Sequence, residues 1–305
     1  MNFTDLTHRT LGSLLVAGSL ALVGCGDPVA SAPLVTGERG ITSIATDDFF
    51  LYYAKIDGSV MRVSLDGGKP EVVVSGQNAP DHLAVDATHL FWSNQSGEIV
   101  RSSKQAGEAE ILAQAGHQSG LALDTDHLYF TTSEGTVQQR SKLDGSTKEL
   151  AMDQKVQSQF AVSGSSLVFN AGVQEAGSVR EMLTDSGAVD VLVSARSASD
   201  LVAISSSNIY WASTGDPSVS VAQRDGSNPR QITTIDGVLP SSVLGDDAFV
   251  YFTDVSGAVN VAAIQGGEAQ QIAKGPAGKV SITMDQASIY WANSEDGVIL
   301  SMPRQ

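Results

Sequence analysis

The segment HLAVDATHLFWSNQSGEIVRSSKQAGEAEILAQAG, residues 82–116, contains the pattern that decides the fold. It consists of four short runs of apolar, aromatic or alternating residues, and turns with Gly or other small residues separate these runs. Runs of this length and composition favour β-strands, and turn residues at intervals of about 8–12 positions favour an all-β domain. We therefore interpret the segment as four consecutive antiparallel strands.

The same pattern recurs along nearly the whole chain. Its most regular feature is a pair of aromatic or large apolar residues at intervals of about forty residues. The second residues of these pairs are Tyr53, Trp92, Phe130, Phe169, Trp211, Phe252 and Trp291. Four strands in a unit of about forty residues are the signature of a β-propeller blade. The sequence therefore predicts an all-β fold, a seven-bladed β-propeller of four-stranded antiparallel blades, with the aromatic pairs packed between adjacent blades.

The last repeat unit contains three of the four strands. SIYWANSEDGVILSMPRQ (288–305) supplies its second and third strands, and VSITMD (280–285) supplies the first. The segment SAPLVTGERG (31–40) resembles the outermost strands of the other units. A closing strand would cover an edge that is otherwise unpaired. We expect Pro33–Gly37 to pair with Val298–Met302, so that an N-terminal strand closes the last blade.

The N-terminal residues indicate a processing signal. An apolar run, LGSLLVAGSLALVG (11–24), follows Arg9 and is too short to span a bilayer comfortably. LVGC (22–25) resembles the lipobox of bacterial lipoproteins. This resemblance implies cleavage before Cys25 and attachment to the membrane through acyl chains on Cys25. An ordinary signal peptide that happens to end near a Cys is the alternative.

These patterns divide the chain into three parts. Residues 1–24 are expected to be a lipoprotein signal peptide, residues 25–32 the lipidated Cys and a tether, and residues 33–305 the seven-bladed propeller. The expected location is the bacterial cell envelope, with the protein lipid-anchored on the periplasmic side or at the cell surface.

The repeat units resemble the YWTD-type propeller family of lipoprotein-receptor ectodomains and bacterial lipoproteins. The segments that carry the resemblance include LYYAKIDGSVMRVSLDGG (51–68), LFWSNQSGEIVRSS (90–103), VYFTDVSGAVNVAAIQGG (250–267) and IYWANSEDGVILSM (289–302). WD-repeat propellers fit less well, because no Gly-His and Trp-Asp frame recurs. The resemblance implies binding of a protein or peptide on the propeller faces, without catalysis.

Composition narrows the possible partners. The formal net charge of −16 disfavours nucleic acid, because an acidic protein repels phosphate backbones. One cysteine excludes an intrachain disulfide and any Cys-based metal cluster. Neither a phosphate-binding Gly loop nor a His-Glu-x-x-His helix occurs, so we expect no cofactor. The predicted partners are the membrane, through Cys25, and an unknown protein, peptide or glycan bound by a monomer.

The segments that lead into the innermost strands surround the mouth of the central channel in such a fold. The candidate ligand-binding residues in these segments are Asp81, His82, His117, Gln118, Gln157 and Asp200. We favour a non-enzymatic binding or scaffold module. The alternative is a metal-dependent lyase or hydrolase, since two imidazoles at the mouth, those of His82 and His117, could bind a metal or transfer protons.

Four aspartates repeat directly after innermost strands, at Asp47, Asp86, Asp124 and Asp285. They could cap turns through hydrogen bonds to backbone amides, or they could contribute to a Ca²⁺ site. A Ca²⁺ site needs several oxygens close together, whereas one Asp per blade lies on a wide ring. We therefore favour the turn-capping interpretation.

Overall fold

The computed structural model describes residues 31–116, 120–151, 159–171, 177–194, 199–213, 217–235 and 238–305. Within these ranges the chain forms 28 β-strands and no helix. Accordingly, this part of the chain contains no helix of the length and apolarity needed to cross a membrane. The strands form seven antiparallel sheets of four strands each, as the sequence predicts.

The inner half of each blade is built from two strands. The innermost strands are β2 (Ile41–Thr46), β6 (Pro80–Val85), β10 (Leu121–Leu123), β14 (Phe160–Ser163), β18 (Ser199–Ile204), β22 (Pro240–Gly245) and β26 (Val280–Met284). The second strands are β3 (Phe50–Lys55), β7 (His89–Asn94), β11 (His127–Thr131), β15 (Ser166–Ala171), β19 (Asn208–Ser213), β23 (Phe249–Asp254) and β27 (Ser288–Asn293).

The outer half of each blade is built in the same way. The third strands are β4 (Val60–Ser64), β8 (Glu98–Ser103), β12 (Val137–Ser141), β16 (Ser178–Leu183), β20 (Ser218–Gln223), β24 (Ala258–Ala263) and β28 (Val298–Pro303). The outermost strands are β5 (Glu71–Val74), β9 (Glu110–Gln114), β13 (Thr147–Ala151), β17 (Val189–Ser194), β21 (Arg230–Thr234), β25 (Gln270–Lys274) and, in blade 7, β1 (Ala32–Val35).

The seven innermost strands form a closed ring. Each of them contacts the innermost strand of both neighbouring blades, and β26 of blade 7 contacts β2 of blade 1. We call the side that carries the segments leading into the innermost strands the mouth face. The other side carries the turns between first and second strands and the turns after third strands, and we call it the Asp-turn face.

Strand β1 completes blade 7, as predicted. It pairs antiparallel with β28, with Ala32 opposite Ser301 and Val35 opposite Ile299. The strand spans Ala32–Val35 rather than the predicted Pro33–Gly37, because Gly37 has a φ of +81°, which is incompatible with extended backbone. The Val35 side chain is buried in the hydrophobic cluster between blades 7 and 1.

Aromatic side chains fill the space between the blades. Consecutive side chains of a strand point to opposite faces of its sheet. Phe91 therefore lies in the cluster shared with blade 3, and its neighbour Trp92 lies in the cluster shared with blade 1. The residues paired across the seven interfaces are Tyr52 and Trp92, Phe91 and Phe130, Tyr129 and Phe169, Val168 and Trp211, Tyr210 and Phe252, Tyr251 and Trp291, and Tyr290 and Tyr53. The predicted packing role of these residues is confirmed.

Glycine allows the turns between second and third strands to lie close to the segment that leads into the next blade. Gly58 has a φ of +91°, and a Cβ at this position would lie 2.3 Å from the Gln77 carbonyl oxygen. Gly257 has a φ of +86°, and its Cβ would lie 2.1 Å from the Pro276 oxygen. Any other residue would have to displace the segment that leads into the next blade.

The closing strand yields a stability prediction. A chain that begins at residue 38 should melt about 4–8 °C below a chain that begins at residue 31, because it loses the β1 ladder and the burial of Val35. Differential scanning calorimetry of the two chains measures this difference. Val35→Asp should act in the same direction, whereas Val72→Asp, on the exposed face of β5, should change the melting temperature little. Equal melting temperatures for the two chains would show that β1 contributes nothing to closure.

Candidate functional site

The mouth face brings together side chains from blades 2 and 7. Lys279 Nζ, just before β26, lies 3.2 Å from Asp81 Oδ1 in β6. The two residues are 198 positions apart, and blade 1 lies between their blades. Both side chains are partly exposed, so this ion pair crosses the surface of the mouth and leaves both charges accessible to a ligand.

His82 lies next to this ion pair. Its Nδ1 is 3.8 Å from Asp81 Oδ2 and 3.5 Å from the hydroxyl of Ser93. Burial lowers the pKa of His82; the Asp81 carboxylate opposes this effect, and Lys279 adds to it. The imidazole is therefore neutral at neutral pH, and because Nδ1 contacts the Ser93 hydroxyl, Nε2 is the ring nitrogen left for a ligand.

Hydroxyl groups hold the blades together below the mouth. Ser281 Oγ of blade 7 accepts a hydrogen bond of 3.2 Å from the Ile44 amide of blade 1. Ser43 Oγ of blade 1 accepts one of 3.1 Å from the Leu83 amide of blade 2. Blades 7, 1 and 2 are thus joined beneath the Asp81–Lys279 pair, which fixes the positions of the side chains above.

Most of the other predicted site residues lie outside the part of the chain that the structure describes. The backbone of Asp200 lies in β18, at the end that enters from the mouth face. His117, Gln118, Gln157 and Cys25 lie outside the described residues. Of the predicted set, the side chains of Asp81 and His82, which are neighbours in the sequence, are described, and the structure adds Lys279 of blade 7 to them.

The described residues give no support to a metal-dependent enzyme. In these ranges no three His, Cys, Asp or Glu side chains lie close enough to bind one metal ion. The groups nearest to His82 are a carboxylate, a hydroxyl and an ammonium group, and an ammonium group repels a cation. The lyase or hydrolase alternative has no supporting observation in this part of the chain.

Aspartate caps the turns on the Asp-turn face. Asp47 Oδ1 accepts hydrogen bonds from the amides of Phe49 and Phe50, at 2.9 and 2.8 Å. Asp86, Asp124 and Asp285 make the same two bonds in their own blades. The turn-capping interpretation is confirmed at all four positions. Asp246 of blade 6 is a fifth member that our sequence analysis missed.

Three of these aspartates also bind a basic side chain of the next blade. The basic residue directly follows the third strand of that blade. The pairs are Asp47 with Lys104 (2.5 Å), Asp86 with Lys142 (2.9 Å) and Asp246 with Arg304. Each basic group also donates to the backbone carbonyl of the corresponding turn residue in its own blade, so it bridges two blades. These interblade ion pairs were not predicted from the sequence, although each basic residue lies 56–58 positions after its aspartate, which is a usable signal.

The ion pair between Asp86 of blade 2 and Lys142 of blade 3 helps to lower the pKa of Asp86. Burial raises the pKa of Asp86, but hydrogen bonds from the Thr88 amide, from Lys142 and from the His89 amide outweigh it and hold the pKa below its ordinary value of 3.8. The carboxylate therefore stabilises the folded state in its charged form.

A groove crosses the Asp-turn face of blades 1, 2 and 3. Three adjoining cavities of about 430, 510 and 250 Å³ form it. Residues that define this Asp-turn groove are Phe49, Asp86, Phe91, Lys142, Leu143 and Asp144. Sequence analysis did not identify the groove, because it depends on how turns of different blades are juxtaposed.

Comparison with known proteins supports the fold. No protein-family model matches the chain, and no curated protein matches it. Solved structures do match. The WD40 domain of Pan2 from Neurospora crassa is 10% identical, with a TM-score of 0.71 over 92% of this chain and 98% of that chain. BamB from Moraxella catarrhalis is 15% identical, with a TM-score of 0.61 over 87% and 85%.

A chain of the nidogen/laminin complex is also 15% identical, with a TM-score of 0.58 over 71% of this chain and 89% of that chain. At such low identities the likeness shows the fold alone. The chain is a seven-bladed β-propeller, a fold that commonly serves as a protein-binding scaffold. Both a WD40 domain and a chain of the nidogen/laminin complex resemble it, so the YWTD subfamily is not assigned by these comparisons.

The interblade ion pairs predict a pH-dependent loss of stability. Lys142→Met should lower the free energy of unfolding by about 1.5–3 kcal/mol at pH 7, because it leaves Asp86 without its charged donor. The depressed pKa of Asp86 makes this contribution present above pH 3.8 and lost as the pH falls through the folded-state pKa. The difference between wild type and variant should therefore narrow below pH 3.8, as measured by urea unfolding.

The control for this experiment is Lys69→Met, which removes an exposed lysine that forms no ion pair among the described residues. It should change stability by less than about 0.5 kcal/mol at either pH. A Lys142→Met variant that behaves like Lys69→Met would contradict the stabilising role of the ion pair.

Proposed function

We propose that this chain is a lipid-anchored, non-enzymatic binding or scaffold module of the bacterial cell envelope. In this proposal the mouth face binds a protein or peptide. The observation that carries the proposal is the convergence of Asp81 and His82 of blade 2 with Lys279 of blade 7 at the mouth. These groups offer both signs of charge and a neutral imidazole, which suits recognition of polar groups on a partner.

Exposed apolar side chains on the same face favour a protein or peptide over a glycan. Ile56 is 60% exposed in blade 1, and Leu239 and Val255 are about half exposed in blade 6. The Val255 amide donates to the Leu239 carbonyl at 3.0 Å, so these two residues are neighbours. Apolar side chains beside a few charges are typical of protein interfaces. A chain of similar fold occurs in the nidogen/laminin complex, which agrees with a binding role.

We also propose that the propeller is of the YWTD type. Support comes from VYFTD (250–254), where the last two motif residues have structural roles. Thr253 Oγ1 donates to the Val280 carbonyl of blade 7 at 3.1 Å. Asp254 Oδ1 accepts from the Ser256 amide at 2.8 Å and so caps the following turn. A threonine that links blades and an aspartate that caps a turn explain why the motif suits a blade.

The path of β1 agrees with a lipid anchor at Cys25. β1 begins at Ala32, opposite Ser301, on the outer edge of blade 7 and toward the Asp-turn face. Ala32 lies seven positions after Cys25, and an extended segment of that length spans at most about 25 Å. An anchor with this reach would hold the edge of blade 7 near the membrane and leave the mouth face open to a partner.

The anchoring proposal is tested by Cys25→Ser. We expect the wild-type protein in the membrane fraction and the variant in the soluble fraction, because the variant cannot be acylated at this position. Metabolic labelling with a fatty acid should mark the wild type alone. Ser31→Ala, in the proposed tether, is the control and should behave like the wild type. A Cys25→Ser variant that stays in the membrane fraction and still carries the label would refute the anchor.

The binding proposal is tested by reversing one charge on each face. Lys279→Glu places a carboxylate beside Asp81 and should weaken capture of an envelope partner about tenfold, because like charges oppose binding. Lys69→Glu makes the same change on the Asp-turn face and should leave capture unchanged. Affinity capture from native envelope with quantitative mass spectrometry measures both. Equal capture by the two variants, or loss in Lys69→Glu alone, would contradict the mouth-face site.

A further inference from the structure

The Asp-turn groove is a continuous surface that crosses two blade interfaces. Asp86 lines both the 430 Å³ and the 510 Å³ cavity. Phe91 and Lys142 line both the 510 Å³ and the 250 Å³ cavity. An occupant that contacts all three cavities must span two blade interfaces. The shape of the groove suits an extended segment of polypeptide.

The charge of the groove favours a basic occupant. Three of the basic side chains among its described lining residues form ion pairs within the chain: Lys104 with Asp47, Lys142 with Asp86, and Arg101 with Glu110. The fourth, Arg140, binds the neutral Gly145 carbonyl and keeps its charge. Exposed carboxylates remain, and each cavity has one, contributed in turn by Asp48, Asp126 and Asp144. Hydrogen bonds from the Ser146 amide and hydroxyl lower the pKa of Asp144 to about 2, so it stays ionised at physiological pH.

Large apolar side chains are exposed in the outer cavities of the groove. Leu143 of blade 3 is 96% exposed and Phe49 of blade 1 is 71% exposed. Leu143 lines the 250 Å³ cavity and Phe49 lines the 430 Å³ cavity. Large apolar side chains beside a concave surface are typical of interaction sites, since a partner can cover them. The occupant should therefore carry apolar side chains as well as positive charge.

We propose that the Asp-turn groove binds an extended segment of a partner protein that contains both Lys or Arg and apolar residues. Charge complementarity selects this occupant. A second copy of the chain is disfavoured, because it carries the same net charge of −16 and the same acidic groove. The inference goes beyond the proposed mouth-face function, since the two surfaces lie on opposite sides of the ring and can be tested separately.

Three synthetic peptides of equal length test the proposal on the full chain in detergent. One alternates Lys and Leu, one alternates Lys and Ser, and one alternates Glu and Leu. By isothermal titration calorimetry, the Lys–Leu peptide should bind most tightly and the Lys–Ser peptide about tenfold more weakly, because it cannot cover Leu143 and Phe49. The Glu–Leu peptide should not bind. Absence of Lys–Leu binding, or equal binding of the Glu–Leu peptide, would overturn the proposal.

Substitutions in the groove test whether the Lys–Leu peptide binds there. Asp126→Asn with Asp144→Asn should weaken it about five- to tenfold, since two exposed charges are lost while an amide at position 144 can still accept the hydrogen bond from the Ser146 amide. Glu268→Gln, an exposed acid on the same face of blade 6, is the control and should have no effect. Equal affinities for the double variant and the control would place the peptide elsewhere and overturn the proposal.

A second pair of variants tests the contribution of apolar side chains to peptide binding. Leu143→Ser should weaken binding of the Lys–Leu peptide about tenfold, whereas Val191→Ser, at an exposed position on the outermost strand of blade 4, should leave it unchanged. Both positions are exposed, so neither variant should unfold the protein. Analytical ultracentrifugation tests the alternative occupant, a second copy of the chain, by measuring whether the protein is a dimer. A dimer that Leu143→Ser dissociates, without peptide binding by the wild type, would assign the groove to a second copy and overturn the proposal.

Discussion

Packing of aromatic pairs between the blades is the interaction on which the rest of the structure depends. A single sheet cannot bury both of its faces, and adjacent side chains of one strand point to opposite faces. One dipeptide on the second strand, such as Phe91-Trp92, therefore serves two interfaces at once. Blade 4 has Val168 at the first of these positions, and it is still fully buried. The requirement is thus apolar volume on both sides, with aromatic rings as the usual solution.

Closure of the ring requires that the first and last segments of the propeller also pack against or bind neighbouring blades. β1 supplies the outermost strand of blade 7, and Val35 joins the cluster between blades 7 and 1. At the other end, Arg304 binds Asp246 of blade 6, and the Gln305 amide donates to the Tyr251 hydroxyl at 3.2 Å. Blade 7 is therefore held to blade 1 by packing and by the hydrogen bond from the Ile44 amide to Ser281. It is held to blade 6 by packing of Tyr251 against Trp291 and by the polar contacts that follow its third strand. This double attachment lets the aromatic interfaces form a closed ring.

Most of the features that could be predicted correctly from the sequence are local or periodic; the long-range pairing of β1 with β28 could be predicted because the last repeat lacks its fourth strand. Seven blades follow from a repeat of about forty residues, and the Asp47 cap involves amides only two and three positions away. Apart from the Asp246 cap, which is local, the features that were missed join residues from different repeats. Lys104 reaches an aspartate 57 positions away, and Asp81 pairs with Lys279 across blade 1, so neither partner is specified by a local pattern. The groove was missed for the same reason, since its cavities lie between turns of separate blades.

Because caps, hydroxyls and interblade ion pairs hold the backbone on both faces, exposed side chains can vary without loss of the fold. Ser43 and Ser281 join blades beneath the mouth, and Lys142 joins blades beneath the groove. The side chains above them, Lys279 on one face and Leu143 on the other, contribute little to stability. Conversion of either surface to a new specificity therefore needs changes only at exposed positions. Under the two proposals above, a ring with two such faces would hold two different partners at a fixed separation, which is the physical basis of a scaffold.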